Sequence, residues 1–137
     1  MRILGVFLLA GLAMAQAPTY QEVASTRELM QGLVDPTSKA IREAAKETGP
    51  ADDRAWRSAA IQGVMLQESA QLLKMGSRAK DQDGWTKACQ ALSDAGDAVK
   101  KAAQAKDVAA LQAAASGINA SCQGCHSVYR QRGGKKQ

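Results

Sequence analysis

Apolar positions along the chain recur at steps of three and four, the spacing of one face of an α-helix. Val23, Met30, Leu33 and Val34 form the first such stripe, behind Thr19-Tyr20-Gln21-Glu22, which has capping-box spacing. A first helix is therefore expected from about residue 20. Asp35-Pro36 pairs a capping side chain with the residue that suits a first helical turn, so this helix restarts or kinks there and continues past Ile41 and Ala44 to Gly49-Pro50. Asp52 or Asp53 opens a second helix carrying Trp56, Ile61, Val64, Met65, Leu66, Leu72 and Leu73, and Gly76 stops it. Residues 76–83 read as a polar loop. A third helix spans about Trp85 to Ala105, with Trp85, Ala88, Leu92, Ala95, Val99 and Ala102 in step. Asp107 caps a fourth, whose stripe runs Val108, Leu111, Ala115, Ile118, Cys122, Cys125 and Tyr129. Nothing alternates as a strand does, and β-branched residues are few. The pattern predicts an all-α protein, an antiparallel up-down-up-down four-helix bundle.

The N-terminus follows a different rule. Met1-Arg2 is a short basic start, Ile3 to Leu12 is an apolar stretch too short to span a bilayer, and Ala13-Met14-Ala15 has the small-x-small form of a cleavage site. Residues 1–15 are read as a secretory signal peptide; a retained membrane anchor is the competing reading, and no stop-transfer run supports it. The bundle domain is then 16–132, with 133–137 a basic, disordered tail ending Lys135-Lys136-Gln137. Export places the protein in the periplasm, without stable membrane insertion.

Composition changes the expectation for the core. Of 137 residues 45% are hydrophobic but only 4% aromatic, and 27 are Ala, so large apolar side chains are scarce. Charged residues at 23% exclude a chain that is mainly disordered or membrane-embedded. The net charge of +5 comes from scattered basic residues with few aromatics between them, which argues against nucleic acid and for a mild preference for acidic partners.

The fourth helix carries the candidate chemistry. Cys122-Gln123-Gly124-Cys125-His126 is a CxxCH run, the attachment signature of a c-type haem. Two sulfurs one helical turn apart suit the two vinyl groups on one porphyrin edge, and the adjacent imidazole suits the iron as proximal ligand. A thiol redox pair is the first alternative, but such pairs usually open a helix beside a strand, and no strand is expected here. A structural zinc site lacks a nearby fourth ligand, since Cys89 is far off in sequence. A porphyrin would also supply the large flat apolar surface that the Ala-rich core lacks. Cys89 itself reads as a small buried hydrophobe, and Met65 and Met75 as core filler. No hydrolytic or acid–base constellation is visible, so an enzyme is not expected.

The ending Cys122-Gln123-Gly124-Cys125-His126-Ser127-Val128-Tyr129-Arg130 resembles the CxxCHxxYR ending of class II c-type cytochromes, that is, cytochrome c′ and its low-spin, methionine-ligated relatives. The stretch Ala24 to Met30 with Val34-Asp35-Pro36 is similar to the first helix of the methionine-ligated branch. This resemblance implies one haem c held covalently through Cys122 and Cys125, with the first helix crossing its distal side. His126 is the only histidine, so the distal iron position is either open or filled by another side chain. Met30, in an Arg-x-x-Met context that matches those relatives, is the choice, and Leu29 is the competitor. Arg27 and Arg130 share helical faces with the two expected ligands and are candidates to pair with a propionate. The resemblance implies one-electron transfer with a redox partner protein, an acidic one given the net charge. The alternatives are a five-coordinate haem that binds a gas such as nitric oxide, and a haem-free helical scaffold using CxxC as a disulfide. Class II relatives also suggest a homodimer.

Overall fold

The computed structural model describes residues 20–130, so the expected signal peptide 1–15 and the tail 133–137 lie outside the described residues. Among the described residues every regular element is helical. Helix α1 (Thr26–Leu29), a π turn (Met30–Val34) and α2 (Asp35–Ala44) follow one another without a break and make the first rod. The others are α3 (Asp53–Leu73), α4 (Gly84–Ala105) and α5 (Val108–Tyr129), with a 3₁₀ turn at Gly76–Arg78 between α3 and α4. Each rod packs against the next, and α2 also meets α5, which closes the expected four-helix bundle.

The first helix starts later than its pattern suggested. Ser25 and Glu28 form the capping box: Glu28 N–H donates to Ser25 Oγ at 3.3 Å, and Ser25 N–H donates to Glu28 Oε2 at 2.8 Å. Both boxes fit the rule, but only the second leads directly into a buried residue, Leu29. Glu22 instead accepts the Ser77 N–H at 2.7 Å and the Ser77 hydroxyl at 2.8 Å, and Val23 stands 89% exposed, off any buried stripe. Nor does Pro36 break the rod. A proline has no N–H to give to the preceding turn, and its ring crowds the carbonyl four residues back. The π turn just before it absorbs this: the Asp35 N–H reaches back five residues, to the Met30 carbonyl.

Small residues let the helices come close. Gly63 on α3 and Gly96 on α4 face each other so tightly that a Cβ on Gly63 would lie 2.6 Å from the Gly96 carbonyl oxygen. Trp56, Ala59, Leu66, Ala70 and Leu73 share that buried face of α3, whereas Ile61 and Val64, expected in the core, are 58% and 38% exposed. The α4 stripe is as expected, with Trp85, Leu92, Ala95, Val99 and Ala102 buried. Asp52 and Asp107 cap α3 and α5 through the N–H groups of Ala55 and Ala110.

The loop 76–83 contains a fully buried cation. Arg78, only 2% exposed, donates from Nε to the Leu72 carbonyl at 2.8 Å, from Nη1 to the Ala24 carbonyl at 2.7 Å and from Nη2 to the Tyr20 hydroxyl. Its guanidinium also lies over the Tyr20 ring. Residues 20–25 are thereby strapped to the loop at this end of the bundle, the end where α5 finishes.

Candidate functional site

Helix α5 is carried to its end by the spacing that buries Leu111, Ala115 and Ile118, and the same rhythm brings Cys122 and Cys125 against the core as half-buried thiols. Burial pushes both thiols up from their ordinary pKa, and at Cys122 the nearby Arg42 guanidinium pulls the other way. His126, one residue on, is exposed. Trp85 and Tyr129 brace this end: their rings meet edge to face with centroids 5.0 Å apart, and the indole N–H donates to the Leu73 carbonyl at 2.7 Å.

Cys122, Cys125 and His126 open onto one cavity of about 260 Å³. The π turn and α2 bring Met30, Val34, Ser38 and Arg42 to the same cavity, and α3 and α4 add Leu73, Trp85, Cys89 and Leu92. The wall is thus mostly apolar, with a thioether, three thiols and an imidazole set into it. Cys89 is 3% exposed, and burial pushes its thiol up to about 11, which keeps it protonated at neutral pH. The wall therefore offers sulfur as neutral thiols and one thioether.

The residues singled out from sequence fall into two groups. Met30, Cys122, Cys125 and His126 line the cavity together. Leu29, the competitor of Met30, is instead buried in the bundle core and does not line it. Arg27 and Arg130 are exposed and do not line it either: Arg27 lies on the solvent side of α1, and Arg130 follows the last turn of α5, its N–H donating to the His126 carbonyl at 3.3 Å. Met65 and Met75 do not reach it. The cation on the wall is Arg42, which the sequence reading passed over. Its signal was the series Val34, Ser38, Arg42 at steps of four, hidden by treating Pro36 as a new start.

The residues fit a haem group. Two thiols one turn apart and the imidazole beside them open on an apolar space, and the Ser38 hydroxyl, buried on its wall, has no hydrogen-bond partner. Among the described residues no three His, Cys, Asp or Glu side chains come together as a ligand set for a bare metal ion. A haem pocket at one end of a helical bundle, served by a CxxCH run on the last helix, defines the class of c-type bundle cytochromes. The chain matches the family model described as Cytochrome C' over residues 21–130 and belongs to that family, which makes it a class II haem c-type cytochrome. No curated protein and no solved structure matches it. No helix among the described residues is long and apolar enough to cross a membrane.

Proposed function

We propose that the protein is an exported mono-haem electron carrier whose haem c is held by Cys122 and Cys125, with His126 and Met30 as axial ligands. The observation that carries this reading is that Met30 and His126, supplied by different rods, line one cavity together with both thiols. Cys122 and Cys125 would hold the group as thioethers to its two vinyl groups. When bound, haem supplies an iron that gives and takes one electron, and a thioether ligand favours the reduced state. The protein supplies the rest. Leu73, Leu92 and Trp85 keep water from the cavity floor, and the α4–α5 contact through Trp85 and Tyr129 holds the imidazole-bearing turn in place.

Export through residues 1–15, with maturation to Gln16 in the periplasm, belongs to the same reading, since covalent haem loading needs that compartment. The net charge, +5 for the full chain and one unit less once Arg2 leaves with residues 1–15, favours an acidic redox partner. The test is the visible spectrum of the protein expressed with a c-haem maturation system. A colour that survives acid-acetone extraction, a low-spin ferric form and a weak far-red sulfur-to-iron band are expected. Met30→Ala should abolish that band and admit carbon monoxide. A wild type that is high-spin and binds carbon monoxide readily would replace the carrier with a gas-binding protein.

A further inference from the structure

Ser38 and Arg42 lie one turn apart on the cavity-facing side of α2, where residues four apart are neighbours. Ser38 is 3% exposed, and its hydroxyl is the buried side-chain polar atom left without a partner among the described residues. Three other helical serines behave differently. Ser69, Ser116 and Ser127 each turn back to a carbonyl of the preceding turn, on Met65, Gln112 and Gly124. Ser38 leaves that bond unmade although it is buried, which destabilises the chain unless another group takes up the hydroxyl.

Arg42 has the complementary defect. Its guanidinium is half-buried on the same wall and makes no hydrogen bond or ion pair among the described residues. Lys46, Lys87, Lys101 and Lys106, all more exposed, each have a carboxylate within 3 Å. No acid stands three or four residues from Arg42 on its helix: those places hold Lys39, Ala45, Ser38 and Lys46. Asp35, the acid on the cavity wall, lies nearly two turns back and outside ion-pair range.

A hydroxyl donor and a planar five-donor cation, adjacent, half-desolvated and both unspent, are complementary to one chemical group, a carboxylate. We propose that Ser38 and Arg42 form a carboxylate-binding corner of the cavity, filled in the loaded protein by a haem propionate. This rests on the haem reading above, and it moves propionate binding from Arg27 and Arg130 to α2. The other source of the same chemistry is a free carboxylate from solution.

The test uses the haem-loaded protein and the variants Arg42→Gln, Arg42→Lys and Ser38→Ala, with Asp35→Asn to separate the other wall charge. The readout is reduction potential against pH. With Arg42 present, the propionate stays ionised and the potential is flat through the mildly acidic range. In Arg42→Gln the lost positive charge lowers the potential at neutral pH, and a rise on acidification appears as the propionate takes up a proton. Arg42→Lys should restore the neutral-pH value in part, and Ser38→Ala should show a smaller shift of the same sign. If the occupant is a free carboxylate, added acetate will shift the wild-type potential, with affinity falling about tenfold or more in Arg42→Gln. Potentials, slopes and acetate responses identical in all proteins would overturn the proposal. A chain that takes up no covalent haem would sink the function proposed above but not this corner, which acetate-dependent melting of wild type against Arg42→Gln still tests.

Discussion

The Tyr129 hydroxyl donates to Asp81 Oδ2 at 2.5 Å, joining the last turn of α5 to the loop before α4. The same carboxylate accepts the Trp85 N–H at 2.9 Å through Oδ1, so one aspartate caps α4 and holds the end of the cysteine-bearing helix. The hydrogen bond from Tyr129 holds Asp81 below the ordinary carboxylate range and pushes the phenol up to about 12.

These shifts fix a pH window for Tyr129→Phe. The Asp81 pKa is lowered on folding, so its contribution is present above the unfolded value and lost as pH falls through the folded one. The Tyr129 pKa is raised, so its contribution is present below about 10 and lost as pH rises towards 12. The melting temperature of Tyr129→Phe should therefore lie below wild type at neutral pH and converge with it at both extremes. A gap that persists unchanged to pH 12 would contradict this.

Leu29 and Met30 should separate stability from spectrum. Leu29 is 6% exposed in the core, so Leu29→Ala should cost about 2–5 kcal/mol in urea unfolding while the haem spectrum stays as in wild type. Met30→Ala should do the reverse, changing the spectrum at small cost in stability. Exchanged phenotypes would mean that Leu29 is the residue over the iron.

The α3–α4 crossing predicts a contrast between glycines. Gly63→Ala puts a Cβ into the Gly96 carbonyl and the Lys100 backbone, so the helices must part, at a cost of about 2 kcal/mol or more. Gly117 has open space around it on α5, and Gly117→Ala should stabilise by about 0.5–1 kcal/mol through helix propensity. Chemical denaturation of both variants measures the difference.

Arg78→Met should remove about 3 kcal/mol, because it strips the Ala24 carbonyl of its donor, leaves the Leu72 carbonyl with the Met75 N–H alone and leaves Glu22 without its buried cation. It should also free residues 20–25, seen as faster limited proteolysis ahead of Ser25. An unchanged cleavage rate would show that the strap is held by Glu22 and Ser77 alone.

Helix number, the α4 stripe and the CxxCH placement were legible in the sequence because each follows from a period of three and four. The α3 face was less so: Ile61 and Val64 are large and apolar, yet close helix contact selected Ala59, Gly63 and Ala70 on the other side. Size misleads where the backbone approach is short. Arg78 sat among loop-forming residues, and only its three-dimensional neighbours reveal that it is buried. Arg42 was missed because one proline was taken to reset the helical phase, when the rod carries that phase through a wider turn.

That wider turn makes register a matter of single-residue insertion. Bonding Asp35 back to Met30 gives this stretch one residue more than regular α-helical winding between the same two points. Deleting Gly32 would let the rod wind regularly between the same two points, so Met30 would keep nearly the same phase against α2. Met30, Ser38 and Arg42 would all stay on the cavity wall. The wider turn therefore absorbs a difference in chain length without changing which side chains face the cavity. A gapless comparison of this chain with a relative lacking the extra residue would align the wrong side chain with Met30.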